Sequence, residues 1–107
     1  MITDARGRPF PLEDAKGCVN KGWASLIEEA WAFLETQGDV RVFQVKEKFG
    51  GLRIYSNATS NAATKFLDAL ENKSSTICEE CGAPGKLSGS GWWRALCPAH
   101  TPVKDHS

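Results

Sequence analysis

The clearest hydrophobic pattern in the chain has a helical period and begins after Asn20. Seven apolar side chains fall within about 160° of a helical wheel, and glutamates occupy the opposite side. These apolar residues are Trp23, Leu26, Ile27, Ala30, Trp31, Phe33 and Leu34. Asn20 is a suitable N-cap, and Gly38 is placed to end the helix. The pattern predicts a helix over residues 21–37 with its apolar face in the core.

A strand hairpin is predicted next along the chain. Residues 40–49 and 52–55 are rich in β-branched and aromatic side chains, with Gly50-Gly51 between them. Glycine readily adopts the positive φ angles that tight hairpin turns need. The alternation changes phase along the first strand. This change indicates either a bulge near Val42 and Phe43 or burial of both strand faces.

A second helix is predicted over about residues 60–72, where four apolar residues recur at helical spacing. These residues are Ala63, Phe66, Leu67 and Leu70. The predicted fold class is α+β, with a compact α-β-β-α unit over residues 20–74 in which helices cover a small sheet. Residues 1–19 contain prolines and glycines without a usable period. We expect them to form an extended N-terminal arm that Phe10 and Leu12 hold to the core.

Length and composition exclude several classes of protein. The chain has 107 residues, of which 41% are hydrophobic and 24% charged, as in an ordinary globular domain. Basic and acidic residues cancel, so the whole chain lacks the strong positive field of a non-specific nucleic-acid binder. No apolar run approaches the roughly 20 residues that cross a bilayer, and no secretory signal is recognisable. We therefore expect a cytoplasmic protein with reduced thiols and no membrane partner.

The strongest chemical signal is two pairs of metal-ligating residues, Cys78-Glu-Glu-Cys81 and Cys97-Pro-Ala-His100, with fifteen residues between the pairs. Two spacer residues within a pair let both side chains reach one ion. Three thiolates and one imidazole are typical ligands of tetrahedral zinc. The alternatives are chance cysteine pairs or a disulfide in an oxidising compartment.

The segment around these ligands is predicted to be a zinc-ribbon module over residues 75–101, followed by a flexible tail over residues 102–107. Turn residues between the two ligand pairs predict a second β-hairpin that joins them. His106 is an alternative to His100, but its spacing is poor. Cys18 lies far from the other cysteines, and we interpret it as a small buried apolar residue.

The ligand set indicates a structural metal site. A catalytic zinc usually keeps one coordination position open for water, whereas four protein ligands complete the shell. The sequence lacks the His-x-Glu and Pro-Cys-x-x-Cys elements of zinc deaminases and has only two histidines. Glu79 and Glu80 are adjacent, so we expect their side chains to diverge rather than form an acid–base pair. We predict structural Zn²⁺, no enzymatic activity and no small-molecule substrate.

The hairpin is one candidate surface for a partner. Residues 40–57 have a net charge of +3, and residues 21–39 have a net charge of −3. The two segments can neutralise each other across a helix–sheet contact. Alternatively, Lys46, Lys48 and Arg53, interleaved with aromatic residues, form a basic strip that binds nucleic acid.

A second candidate surface lies in the ribbon, at Trp92, Trp93 and Arg94. Tryptophan and arginine are enriched among the residues that dominate protein–protein interfaces. Adjacent residues of a strand point to opposite faces, so one indole can pack on the core while the other contacts a partner. Both rings can instead join the ribbon to the main unit.

Four stretches of the chain resemble a family of small zinc-ribbon-like proteins encoded by bacteriophages and prophages. The family pattern is Gly-Trp-x-x-Leu-Ile, then Val-Lys-Glu-Lys-Phe-Gly-Gly-Leu-Arg-x-Tyr, Thr-x-Cys-Glu-x-Cys-Gly-x-Pro-Gly and Gly-Trp-Trp-x-x-Leu-Cys-x-x-His. The matching stretches are Gly22–Ile27, Val45–Tyr55, Thr76–Gly85 and Gly91–His100. The resemblance covers residues 20–100 and leaves the N-terminal arm outside. It implies a phage-associated zinc-binding accessory protein.

These observations lead to two functional hypotheses. The first is a non-enzymatic, zinc-stabilised binding module that acts by protein–protein interaction on a bacterial host protein. The phage resemblance makes a host defence or regulatory protein the expected target. The second is a nucleic-acid-binding accessory or regulatory protein that uses the basic hairpin over residues 41–55.

Overall fold

The structure is a computed structural model that describes residues 1–88 and 93–100. It contains three α-helices and five β-strands in the described part of the chain. They are β1 (Ile2–Thr3), α1 (Leu12–Lys16), α2 (Ala24–Glu35), β2 (Val40–Lys48), β3 (Gly51–Ser56), α3 (Asn61–Ser74), β4 (Lys86–Ser88) and β5 (Arg94–Leu96). The predicted α+β class is confirmed. No helix in the described ranges is long and apolar enough to cross a membrane.

The strands form a three-stranded sheet and a separate two-stranded hairpin. In the larger sheet the order is β1-β2-β3, with β1 parallel to β2 and β2 antiparallel to β3. The register shifts between Val42 and Gln44, which confirms the predicted bulge. The turn between β2 and β3 is formed by Phe49 and Gly50, both at positive φ, rather than by Gly50-Gly51. Gly51 begins β3 instead, paired with Lys48.

Helix α2 supplies most of the core against the inner face of the larger sheet. The largest fully buried side chains include Trp23, Leu26, Ile27 and Leu34 from the helical segment and Val42 and Leu52 from the strands. Helix α3 packs beside α2 through the parallel rings of Phe33 and Phe66, whose centroids are 4.1 Å apart. The buried hydroxyl of Ser74 accepts the backbone N–H of Leu52 at 2.8 Å and so ties α3 to β3.

Both core helices differ at their ends from the predicted ranges. Helix α2 begins at Ala24 after a 3₁₀ turn over Lys21–Trp23, and it ends at Glu35 rather than at residue 37. Asn20 precedes this turn, but its side chain does not cap it and instead donates to Glu80. Helix α3 extends to Ser74 rather than to residue 72.

The first 19 residues are not simply an extended arm, as predicted. Strand β1 adds to the sheet edge and α1 forms a short helix. The predicted contact of Phe10 with the core is confirmed: its carbonyl accepts the indole N–H of Trp31 at 2.9 Å, and the two rings meet edge to face. Leu12 also packs against the core. Tertiary pairing orders this segment although its sequence lacks a period.

The second predicted hairpin is present as antiparallel β4 and β5. Leu87 pairs with Ala95, and Ser88 pairs with Arg94. The turn that joins these strands lies outside the described residues, as does the predicted tail over residues 102–107.

Candidate metal centre

The four predicted ligands meet at one point. The thiol sulfurs of Cys78, Cys81 and Cys97 and a ring nitrogen of His100 all lie within 4.8 Å of one another. The Sγ atoms of Cys81 and Cys97 are 3.6 Å apart. Nδ1 of His100 is 3.6 Å from Sγ of Cys78 and 3.2 Å from Sγ of Cys97. These residues can therefore hold a metal ion.

The spacing of the ligand atoms fits a tetrahedral site. An ion with metal–sulfur bonds near 2.3 Å and a metal–nitrogen bond near 2.0 Å separates sulfurs by about 3.8 Å and sulfur from nitrogen by about 3.5 Å. The Cys81–Cys97 distance of 3.6 Å and the Cys78–His100 distance of 3.6 Å are close to these values. The Cys97–His100 distance of 3.2 Å is shorter, and no separation among the four ligand atoms exceeds 4.8 Å. The chemistry of the donor set and its geometry therefore agree.

Two short turns bring the ligands of each pair together. In the first turn the N–H of Gly82 donates to the carbonyl of Cys78 at 2.8 Å, and Gly82 has a φ of +83°. In the second turn the N–H of His100 donates to the carbonyl of Cys97 at 3.0 Å. The hairpin of β4 and β5 connects the two turns, so residues fifteen positions apart face each other.

The protein environment favours the thiolate at Cys78 and Cys97. At Cys81 the backbone of Ala83 favours the thiolate, but burial and the side-chain hydrogen bonds with Cys97 and Cys78 outweigh it and raise the pKa. Burial opposes ionisation of Cys78, but hydrogen bonds from the backbone of Cys97, Glu80 and Cys81 outweigh it and lower the pKa of this thiol to about 6. The hydrogen bond with His100 lowers the pKa of Cys97. The same bond, with a further contribution from Cys78, raises the pKa of His100. Thiolates are the form that binds metal.

An ion-pair cluster with one buried carboxylate lies beside the ligands. Nε of Arg94 contacts Oε1 of Glu79 at 2.5 Å, and Nη2 of Arg94 donates to Oε1 of Glu80 at 2.8 Å. The Glu79 side chain is only 4% exposed. Asn20 Nδ2 also donates to Glu80, at 3.0 Å. The prediction that the two glutamates diverge is therefore wrong, because one guanidinium binds both.

The main unit contacts the first ligand turn through its backbone. The N–H of Gly22 donates to the carbonyl of Glu79 at 2.8 Å, and the indole N–H of Trp23 donates to the carbonyl of Ile77 at 3.0 Å. A Cβ on Gly22 would lie 2.1 Å from the carbonyl oxygen of Cys78. Gly22 therefore permits the close approach of the two backbones. A glycine at the start of a strong helical pattern is the only sequence signal that could have indicated this contact.

The predicted partner-binding residues have different environments in the structure. Trp93 is 45% exposed, and Trp92 lies outside the described residues. Arg94 is engaged by the two glutamates and is 37% exposed, and its role in partner contact stays a prediction.

The basic residues of the hairpin also divide into two groups. Arg53 forms an ion pair with Glu71 of α3 at 3.2 Å. Lys46 and Lys48 have no ion pair among the described residues, and each ammonium lies 5.7 Å from the centroid of an aromatic ring.

The described ion pairs do not join the acidic helix α2 to the basic hairpin. Glu28 pairs with Lys16 of α1 at 2.7 Å, and Glu29 pairs with Lys73 of α3 at 3.1 Å. These two glutamates of α2 thus pair with cations from its neighbouring helices, and of the hairpin cations Arg53 pairs with α3.

Cys18 is not the buried apolar residue that we predicted. It is exposed, and its thiol donates to the carbonyl of Asp14 at 3.4 Å. Desolvation of the thiol raises its pKa, which makes the thiolate less available for binding a metal. Cys18 is also not part of the four-residue cluster.

Comparisons of the chain with protein-family models, curated proteins and solved structures found no match.

Proposed function

We propose that the chain is a non-enzymatic binding module whose C-terminal hairpin is stabilised by structural zinc. The observation that carries the proposal is the meeting of three thiol sulfurs and one imidazole nitrogen within 4.8 Å, at separations suited to a tetrahedral ion. Cys78, Cys81, Cys97 and His100 would hold the ion. Bound zinc supplies cross-linking between two turns rather than a reactive centre, because four protein ligands fill its shell.

A structural metal explains how so small a hairpin can be ordered. Strands β4 and β5 have three residues each, and isolated two-stranded hairpins are marginally stable in water. Metal binding contributes directly to the free energy of folding when the ligands are brought together only in the folded state. The proposed zinc would therefore replace the hydrophobic core that this segment lacks.

The proposed partner is a protein, and the candidate contact is an apolar junction between the two hairpins, formed by Phe49, Leu87 and Trp93. Their side chains are 65%, 42% and 45% exposed. A Cβ on Gly50 would lie 2.2 Å from Leu87 Cδ2 and 3.4 Å from the backbone of Arg94. The turn formed by Phe49 and Gly50 therefore contacts β4 at Leu87 and β5 at Arg94, the residue after Trp93. Exposed apolar residues that lie together are typical of interaction surfaces.

The phage resemblance is what makes a bacterial host protein the proposed partner, with the cytoplasm as the proposed location. A defence or regulatory protein is the most specific target that we propose. In this role the module would act by occupying a surface of its target, since its metal site offers no position for a substrate.

Elemental analysis tests the metal. We expect one zinc per chain in protein prepared without chelator. Cys81→Ser should lose most of the zinc and the amide protection of residues 75–100, because one of four ligands is removed. Cys18→Ser is the matched control and should retain both. A Cys81→Ser variant with full metal content and an unchanged melting profile would contradict the proposed site.

A binding assay tests the partner. A host protein that co-purifies in stoichiometric amount with the zinc-loaded chain should be isolated and its affinity for the chain measured directly. We expect Trp93→Ala to weaken binding by about 30-fold or more, as for a residue that dominates an interface. Phe43→Ala removes an exposed aromatic ring away from the junction and should leave the affinity unchanged. Equal affinities for Trp93→Ala and the unaltered chain would refute the role of the junction.

A further inference from the structure

The larger sheet has an outer face on the side away from α2, and α3 borders this face along β3, where its residues line a groove together with Arg53 and Tyr55. Helix α2 packs on the inner face, where Val42, Val45 and Leu52 are buried. On the outer side Arg53, the register partner of Lys46, is held by Glu71 of α3. The strand register and the burial pattern place six further residues there, Arg41, Phe43, Gln44, Lys46, Lys48 and Tyr55. We use the term outer face for these six residues.

The bulge in β2 places the ring of Phe43 on the same face as Tyr55 of β3. Phe43 is the additional residue between Val42 and Gln44, and Gln44 pairs with Tyr55 on the neighbouring strand. Phe43 is therefore next to the residue that lies opposite Tyr55. The two side chains are 52% and 38% exposed. A regular strand would alternate through this position, so the bulge is what exposes both Phe43 and Gln44.

The outer face is also positively charged. Arg41, Lys46 and Lys48 form no ion pair among the described residues. The ammonium of Lys46 lies 5.7 Å from the ring centroid of Tyr55, which places a cation and an aromatic ring side by side. The only carboxylate of β2 belongs to Glu47, whose register partner Leu52 is buried on the inner side. Two carboxylates of α3, Asp68 and Glu71, line the groove beside Tyr55, and Glu71 is paired with Arg53.

We propose that the outer face binds single-stranded nucleic acid. Arg41, Lys46 and Lys48 would contact phosphates, while bases would stack on Phe43 and Tyr55. Single strands expose both the charged backbone and the faces of their bases, and proteins bind them with cationic grooves and aromatic platforms. A duplex hides its base faces, and an acidic peptide would use the cations without needing two neighbouring rings.

This inference goes beyond the proposed function because it involves other residues and another class of ligand. The outer face belongs to β2 and β3, whereas the protein contact is proposed for the junction around Leu87 and Trp93. The metal ligands also lie outside the outer face. The two proposals can therefore fail independently, and each has its own substitution.

Fluorescence anisotropy with the zinc-loaded full chain tests the inference. The probes are labelled oligo-dT and oligo-rU of about 15 nucleotides and a duplex of equal length, titrated between about 25 and 200 mM salt. We expect the single strands to bind more tightly than the duplex. Three phosphate contacts predict a slope of log affinity against log salt of about −2 for a single strand.

Substitutions separate stacking from charge. Tyr55→Ala should weaken binding to oligo-dT by about 5- to 150-fold, whereas Tyr55→Phe keeps the ring and should bind normally. In the double variant Lys46→Ala, Lys48→Ala, the slope of log affinity against log salt should become shallower by about 1.4, because two phosphate contacts are lost. Lys65→Ala removes an exposed cation from α3 and is the matched control. Trp93→Ala should also leave oligonucleotide binding unchanged.

Three results would overturn the inference. The first is no binding of either single strand at about 25 mM salt. The second is equal affinity for the duplex and the single strands, and the third is an unchanged affinity of a folded Tyr55→Ala variant. Displacement of the oligonucleotide by poly-glutamate at equal charge concentration, with no effect of Tyr55→Ala, would indicate an acidic protein segment instead. A melting curve for each variant confirms that it is folded.

Discussion

Replacing Gly22 with alanine adds a single methyl group at the contact between the main unit and the first ligand turn. The new Cβ would lie 2.1 Å from the carbonyl oxygen of Cys78 and 2.4 Å from the carbonyl carbon of Glu79. Both atoms belong to the backbone, so no side-chain rotation can make room. We therefore expect the ligand turn to move away from the start of α2 in this variant.

The expected loss of stability follows from the contacts that such a movement breaks. Overpacking of a tight contact costs about 1–3 kcal/mol. The movement also lengthens or breaks two hydrogen bonds, from Gly22 N to Glu79 O and from Trp23 Nε1 to Ile77 O. The pair together loses about 1 kcal/mol of unfolding free energy if both bonds weaken and about 2 kcal/mol if both break. The total is about 2–5 kcal/mol. This is a large part of the roughly 5–15 kcal/mol that stabilises a typical domain.

Thermal and urea denaturation of the zinc-loaded protein measure this loss. Each kcal/mol lowers the melting temperature of a domain near this size by about 4–8 °C, so Gly22→Ala should melt at least about 8 °C lower. Gly17→Ala is the matched control, because Gly17 has a φ of −72° and the new Cβ would lie 3.4 Å from the carbonyl oxygen of Asp14, an ordinary van der Waals contact. Equal melting temperatures for the two variants would refute the proposed close approach.

Two further substitutions test polar contacts inside the fold by urea denaturation. Arg94→Ala leaves the buried carboxylate of Glu79 without its partner and should cost roughly 2–3 kcal/mol, less than for a fully buried pair because Arg94 reaches solvent. Adding Glu79→Gln should recover part of this loss, and a double variant less stable than Arg94→Ala would contradict the explanation. Ser74→Ala should cost about 1–3 kcal/mol because the N–H of Leu52 loses its acceptor. Ser75→Ala is its control, and equal losses for the two serines would contradict the importance of this bond.

The parts of the molecule that the sequence predicts correctly depend on local patterns. The helical period around Trp31, the strand composition around Val45 and the phase change at Phe43 each reflect neighbours within a few residues, and all three features are present. The ligand set can also be predicted from the sequence, because two spacer residues in each pair nearly fix which side chains can share an ion. Its four members do meet in the structure.

The features that the sequence did not predict depend on contacts between distant residues. Nothing near Gly22 indicates that its N–H meets the carbonyl of Glu79, and nothing near Arg94 indicates that its guanidinium binds two carboxylates at once. The parallel pairing of β1 with β2 is likewise a tertiary contact, so residues 1–19 had no periodicity to reveal it. The prediction that Cys18 is buried rests on the usual behaviour of a lone cysteine, whereas its exposure depends on where α1 lies.

The hydrogen bond from Gly22 to Glu79 has a consequence for how long the protein survives in a cell. This bond joins the start of α2 to a turn that the proposed zinc would hold. The metal-free chain would therefore lose a contact that stabilises the main unit, in addition to the order of its C-terminal hairpin. Ligands that bind only the folded state protect a chain from unfolding, and proteases remove chains that unfold. During zinc starvation the chain would then be degraded faster, and its abundance would follow the supply of the ion.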